Sequence, residues 1–527
     1  MYRFKRMYKP AYTQNIMKPN KLAIIGGGPS GLAALKWALY DGFDVTLFEQ
    51  GQETGGQWTQ APGLSGVWDS LHTNSSKYLT AFSDLPFPED TELYPSHAVV
   101  KQYLDDYREK FGLSPCIKLN TTVNRLECLA GKGYQLTYTT KQNGALSEIF
   151  DRVIVASGRF NKPHMPQAAG LNKFTGRVSH AFNYRTNTGF SGRRVLVVGN
   201  RVTGSDLAAD LSLNESVTVI SSCRKPKYVV TKLINGEPGD HQLYTRFRSL
   251  AANAFPPGAS AQRLKEFIIK SCGNPADFDG LKPAENILEA GVTVSDGYLA
   301  QVQNKRITQK LGVDHFNARS AVFADGTEEE IDDVIFATGY ELNLPFLSSE
   351  IYQAINTGDQ HLDLYKYTFH PSFPNLAFIG QYLQSGSFFP SLELQARWIT
   401  GTWSNHIPAA SAAEMLDWIA DFKTTKDRGM PGLHEMAGLV ANAAGFEPNL
   451  NAFPDIAGSL LFGPLLPLQF RLQGHGGMPG AKAVFLKNNA GKVNSISDLS
   501  DEQLKQLKAV VNVLKEDTGL QQLIKNI

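Results

Sequence analysis

The chain has 527 residues, of which 42% are hydrophobic and 19% charged, with 51 Lys and Arg against 50 Asp and Glu. A net charge of +1 gives no field selecting nucleic acid or an anionic membrane, and low charge with 47 Gly and 27 Pro argues against disorder or a coiled coil. Cys116, Cys128, Cys223 and Cys272 form neither a disulfide scaffold nor a zinc pattern, so a reduced, cytoplasmic setting is expected for this multidomain α/β chain.

Residues 1–20 are basic and acid-free, with Arg3, Lys5, Arg6, Lys9 and Lys18. A targeting peptide or a disordered arm fits; lack of Ser and of an amphipathic period favours the arm. Leu22–Ile25 then predicts a buried strand entering Gly26-Gly27-Gly28-Pro29-Ser30-Gly31, followed by a helix to about Tyr40 and a second strand, Val45–Phe48. Gly26 makes the tight turn, Gly28 admits a pyrophosphate, and Gly31 packs helix on strand. Free amides at the helix start, with Pro29 and Ser30, face the phosphates. Glu49, 18 residues after Gly31, accepts from a ribose hydroxyl.

A second copy follows. Val195–Val198 enters Gly199-Asn200-Arg201-Val202-Thr203-Gly204, then a helix to about Leu211 and the strand Val217–Ile220. Two further strands echo one another, Val153–Ala156 before Ser157-Gly158 and Val334–Phe336 before Ala337-Thr338-Gly339. The chain therefore reads as α/β, with two nested Rossmann-like dinucleotide-binding domains. The same 18-residue count from Gly204 lands on Ser222, with no acid nearby and with Arg224 and Lys225 following. A carboxylate repels a 2′-phosphate and cations hold one, so the first site is expected to bind FAD and the second NADPH. Arg201 occupies the middle-glycine position. Two arrangements stay open: a rebuilt turn with Arg201 outward, or a guanidinium on phosphate.

Between the copies, Phe174-Thr175-Gly176-Arg177-Val178-Ser179-His180-Ala181-Phe182-Asn183-Tyr184 spells FxGxxxHxxxY. With Gly55-Gly56-Gln57-Trp58, Leu71-His72-Thr73-Asn74-Ser75-Ser76-Lys77, Phe336–Tyr340, Glu393–Trp398 and Phe470-Arg471-Leu472, the chain resembles the flavin-containing monooxygenases over about residues 21–490. The resemblance implies that NADPH reduces FAD, that O2 adds at flavin C4a, and that the hydroperoxide transfers one oxygen to a soft nucleophile. It places Asn74 at the flavin's reacting edge as the catalytic residue. It assigns Gly56, Gln57, Trp58, Thr73, Val123, Ser157, Gly158, Ala337, Thr338, Gly339, Tyr340 and Gln381 to cofactor binding. His180 is expected to order a loop rather than act as a base.

The expected division is a 1–20 arm, an FAD domain in two parts (21–165 and 333–445), an NADPH domain (166–332) with a helical insertion at about 228–309, and a C-terminal extension (446–527). Within the insertion, Ala251–Pro257 reads as loop and Gln262–Lys270 as helix. Ser500-Asp501-Glu502-Gln503 opens an amphipathic C-terminal helix by a capping box. Longer apolar runs are absent, so no integral membrane segment is expected. The expected partners are O2 and a small amine, sulfide or ketone, with no nucleic acid; a homodimer is the candidate assembly. Baeyer–Villiger oxygenation of ketones, and a redox sensor without turnover motivated by Arg201, are the competing readings.

Overall fold

The computed structural model describes residues 20–356, 361–425, 430–488 and 493–525, so all but Asn20 of the basic arm lies outside the described residues. Ten strands build two parallel sheets: β1 (Lys21–Ile25), β2 (Asp44–Phe48), β3 (Ile117–Lys118), β4 (Arg152–Val155), β5 (Arg177–His180), β6 (Arg194–Val198), β7 (Thr218–Cys223), β8 (Ile307–Leu311), β9 (Asp333–Phe336) and β10 (Leu376–Phe378). The first has the order β10-β4-β1-β2-β3 and the second β8-β7-β6-β9-β5. Both are doubly wound, so each presents its strand ends to a ligand at the switch of strand order.

Period-two alternation sends β1 side chains to two cores. Leu22 and Ile24 meet Leu32, Leu35 and Trp37 of α1 (Pro29–Tyr40), whereas Ala23 and Ile25 meet Leu136, Tyr138 and Phe150 of an antiparallel meander. The second sheet repeats this. Val195 and Val197 pack on Leu207 and Leu211 of α2 (Val202–Ser212), and Leu196 packs on Phe316 and Phe323 of another meander. Each such fully buried aliphatic side chain contributes about 1.5–3 kcal/mol.

Three boundaries differ from those expected. β9 pairs with β6 from Val195–Asp333 to Val198–Phe336, so the chain returns to the first domain after this strand rather than at residue 333. β8 pairs with β7, so the insertion ends before Ile307. Residues 251–254, expected as loop, belong to the helix α3 (Arg246–Ala254), which Thr245 caps by accepting from Arg248 N; α4 (Pro257–Cys272) follows. Alanine-rich α3 is shaped by its neighbours, since Phe247 stacks on Phe462 with centroids 4.4 Å apart.

The C-terminal extension belongs to the first domain's core: Leu460, Leu461, Leu468 and Phe470 are buried with Trp37 and with Trp398 of α5 (Phe389–Trp403). A buried ion network ties these parts together. Lys36 Nζ lies 2.7 Å from Asp84, and Arg471 Nη1 donates to Asp84 at 3.2 Å and to Ser83 Oγ at 2.8 Å. Ser83 in turn donates to Glu393 through its amide (2.8 Å) and hydroxyl (2.7 Å). Burial pushes the Asp84 carboxyl up, but Lys36 and Arg471 outweigh it and hold it below its usual range. The helix α6 (Asp501–Val513) carries the expected capping box, and it buries Leu507 and Val511 against the same core. Among the described residues, no helix is long and apolar enough to cross a membrane.

Candidate functional site

A cavity of about 2320 Å3 begins at the first glycine turn, passes Asn74 and Ser157, and runs out between α3, α4 and α6. Its inner end is the turn itself. A Cβ on Gly26 would sit 2.5 Å from Ala156 O, and one on Gly31 would collide with Gly26 O, so neither position accepts a side chain. Gly55 N bonds Gly27 O at 2.9 Å, which docks the 55–56 loop over the turn; a Cβ on Gly28 would lie 3.5 Å from Gly56 Cα. Pro29 and Ser30 open α1, whose first turn lines the cavity. Glu49 directly follows β2 and accepts from Gly27 N and Gly51 N, both at 2.6 Å. Burial raises its pKa against the pull of those amides.

Gly56, Gln57, Trp58, Thr73, Asn74, Ser157 and Gly158 also line this cavity. Gln57, however, spends its amide on the chain: Nε2 donates to Phe160 O at 2.8 Å and Oε1 accepts from Gly66 N at 3.1 Å. Its side chain shapes the loop that bounds the site. Thr73 Oγ1 likewise donates to Ser75 O at 2.8 Å. Asn74 Nδ2 donates to Asp206 of α2 at 3.2 Å, leaving its buried Oδ1 without a partner. The residue at the expected flavin edge is thus held by the helix of the second turn. Asp206 is itself pushed upward in pKa by burial.

Val123 and Gln381 lie off the cavity. Val123 sits on the strand Thr121–Leu129 and packs against the second core cluster. Gln381 is buried behind the wall, with Nε2 3.5 Å from Gly158 O. The residues that do line the cavity leave buried polar atoms unpartnered, namely Asn74 Oδ1, Asn120 Oδ1, Ser157 Oγ, Asn161 Oδ1 and Asp240 Oδ1. Orphaned polar atoms around a glycine cradle with apolar walls fit a large dinucleotide such as FAD.

The second turn repeats the cradle. A Cβ on Gly199 would lie 2.5 Å from Ala337 O, and one on Gly204 would meet Gly199 O. Asn200 Nδ2 donates to Lys225 O at 3.0 Å, tying the turn to the loop after β7. Thr203 stands in the first turn of α2. Thr338 Oγ1 donates to His164 O at 2.6 Å, Gly339 has φ +87°, and the Tyr340 ring packs 5.4 Å from His180. None of these expected residues lines the large cavity, which touches the second turn only at Val202.

Strand register corrects the sequence count. Ile25, before the first turn, pairs with Phe48, and Val198, before the second, pairs with Ser222. Glu49 therefore corresponds to Cys223, one residue beyond the counted position. Ser222 is fully buried and its hydroxyl donates to Leu311 O at 2.8 Å, so it faces away from any phosphate. Burial pushes the Cys223 thiol up to about 11, which keeps the position uncharged at neutral pH. Arg201, Arg224 and Lys225 are exposed beside it. Lys227 is lowered in pKa first by burial and then by the nearby Arg201 charge. A cluster of cations without an acid fits an NADPH phosphate. Lys227 lies outside the glycine motif, so the sequence pattern gives no signal for it as a ligand.

The FxGxxxHxxxY residues prove to be packing groups. Phe174 packs against Phe316, His180 Nδ1 accepts from Phe182 N at 3.0 Å, and Tyr184 OH donates to Asp210. Burial lowers the His180 pKa, in keeping with a loop-ordering role.

Comparison with known proteins agrees. The sequence profile of the flavin-binding monooxygenase-like family matches residues 19–515. Human flavin-containing monooxygenase 2 is 31% identical over 525 residues, covering 94% of this chain and 97% of that protein. Rat flavin-containing monooxygenase 3 is also 31% identical, covering 88% and 91%. The fold is shared with S-allyl-L-cysteine S-oxygenase from Allium sativum (TM-score 0.58, 21% identity, covering 96% and 97%) and with a cyclohexanone monooxygenase (0.61, 17%, 82% and 98%). The chain belongs to the flavin-containing monooxygenase family, as an oxidoreductase that uses FAD and NADPH.

Proposed function

We propose that this protein oxygenates a small soft nucleophile, at nitrogen or sulfur, inside the cavity that begins at the first turn. The observation that carries the reading is the buried, unpartnered Asn74 Oδ1 on the wall of an apolar passage leading outward from that turn. Bound FAD, reduced by NADPH, supplies the oxygen-activating chemistry. Gly26, Gly28 and the amide end of α1 hold its pyrophosphate, and Glu49 its ribose. Asn74 orients the reacting edge, and the apolar wall excludes water from it. Arg224, Lys225 and Arg201 hold the NADPH phosphates on the second cradle, and Asp206 links that cradle to Asn74.

Relatives named as N-oxide-forming monooxygenases favour nitrogen, and the S-oxygenase neighbour favours sulfur. Ketone oxygenation is the second reading, since cyclohexanone monooxygenases share the fold. Purified, FAD-loaded protein offered an amine, a thioether and a ketone, with NADPH consumption and products followed together, decides among these. N-oxide or sulfoxide formed in step with NADPH supports the proposal; lactone or ester product replaces it. NADPH oxidised once per flavin without product supports the redox sensor.

A further inference from the structure

The outer half of the cavity is built by α3, α4 and the stretch around His434, outside both glycine cradles. Its lining is largely apolar, with Phe247, Leu264, Phe267 and Phe462 prominent. Arg248 interrupts it. The backbone amide of Arg248 is used by the Thr245 cap, its Nε donates to Gln242 O at 2.7 Å, and the guanidinium lies 5.1 Å from the Phe267 ring centre. Its two terminal nitrogens bond to nothing among the described residues.

Among the described residues, no carboxylate pairs with this charge. Asp240 lines the same cavity, but its Oδ2 accepts from Ser76 N at 2.6 Å and its Oδ1 meets no partner, so it does not reach Arg248. Glu435 accepts from Gly432 N at 2.6 Å and caps a helix. Burial alone lowers the Arg248 pKa, with no nearby carboxylate raising it. Close by, burial and the Arg248 charge push His434 down to about 4, so its imidazole stays neutral, and Nδ1 is buried without a partner. A guanidinium drawn into an apolar wall without a counter-ion carries a desolvation cost that a bound anion relieves. Its planar fork suits a carboxylate in particular.

We propose that Arg248 anchors an anionic group on the substrate, so that the substrate class is a carboxylate-bearing thioether or amine with an apolar body. The carboxylate rests on the Arg248 fork beside neutral His434. The apolar body lies along Phe247, Leu264 and Phe267, and the soft nucleophile reaches inward toward Asn74. This deepens the oxygenation reading and rests on it for the identity of the reacting end; the anion anchor itself requires no turnover.

The test uses FAD-loaded, full-length protein and a graded chain-length series of ω-(methylthio)alkanoates, each paired with the alcohol of equal length. Equilibrium dialysis without NADPH measures binding, and sulfoxide formation with NADPH measures turnover. At the best chain length the acid is expected to bind at least about tenfold tighter than the alcohol, as a charge-assisted contact requires. Arg248→Gln is expected to collapse that acid-to-alcohol ratio, in Kd and in kcat/KM alike, whereas Arg248→Lys keeps part of it. Equal binding of acid and alcohol by the native protein overturns the anchor, as does a ratio that survives in a folded Arg248→Gln. Should that variant fail to fold, the native acid-to-alcohol ratio together with Arg248→Lys decides. Acid-selective binding without any sulfoxide upholds the anchor and removes the oxygenation reading. Sulfoxide formed equally from acid and alcohol does the reverse.

Discussion

At the first turn Gly28 has φ −75° and ψ −172°; at the second Arg201 has φ −76° and ψ 178°. The backbone is the same, so the arginine has not rebuilt its turn. What differs is the cover. The 55–56 loop packs over Gly28, where a Cβ would already touch Gly56, whereas Arg201 stands exposed among Arg224 and Lys225. The first turn is a closed cradle whose carboxylate binds its own backbone; the second is an open one ringed by cations. The outer glycines are therefore demanded by the turn itself, whereas the middle position accepts a side chain where no loop covers it.

The sharpest break in this comparison lies at the outer glycines, where both turns should fail alike. Gly31→Val and Gly204→Val each force a Cβ onto a carbonyl oxygen, a cost on the order of 3 kcal/mol or more. Thermal melts with flavin content are the measure: Gly31→Val is expected to lose flavin and Gly204→Val to lose NADPH-dependent reduction, both with a lowered Tm. A native Tm in either variant would show that its turn relaxes.

Asn74 bridges the two turns through Asp206, so its loss should uncouple them. A lost hydrogen bond of roughly 1–3 kcal/mol corresponds to about a 5- to 150-fold effect. Asn74→Ala is expected to consume NADPH while releasing hydrogen peroxide in place of oxygenated product, and Asp206→Ala to show a weaker form of the same defect. Unchanged coupling in both would make the pair purely structural.

Cofactor choice comes next. Arg224→Ala is expected to raise KM for NADPH about tenfold with little change for NADH, because only NADPH carries the 2′-phosphate. Equal effects on both cofactors would move the phosphate elsewhere.

Strand register predicts that Cys223→Asp, which copies Glu49 into the second site, shifts preference toward NADH by several-fold, on the order of 1 kcal/mol. Ser222→Asp, which buries a carboxylate against Leu311 O, should destabilise the fold instead. If Ser222→Asp switches the cofactor and Cys223→Asp does not, the one-residue correction is wrong.

The smallest effect belongs to Arg201→Gly. It removes one exposed cation of several, so KM for NADPH should rise no more than about threefold, with Tm unchanged. A large gain in NADPH affinity would mean that the arginine obstructs the turn.

Both dinucleotide cradles, their helices and their order along the chain were legible in the sequence, because a strand, a glycine turn and a helix are built from bonds between residues close together. The same locality exposed the capping box at Ser500. What the sequence left undecided depends on partners distant along the chain or on strand register. Asp333–Phe336 resembles a strand of either sheet, and only pairing with Val195–Val198 assigns it. Counting from Gly204 missed Cys223, because the second copy has one more residue between turn and strand end; register resolves this and spacing does not. Ser83-Asp84, Glu393 and Arg471 lie far apart along the chain, and only folding joins them in one buried charge network. Arg248 carries no signal at all in the sequence. A lone arginine on an alanine-rich stretch acquires meaning when α3, α4 and His434 close an apolar wall around it, since burial and the lack of a counter-ion are properties of tertiary structure alone.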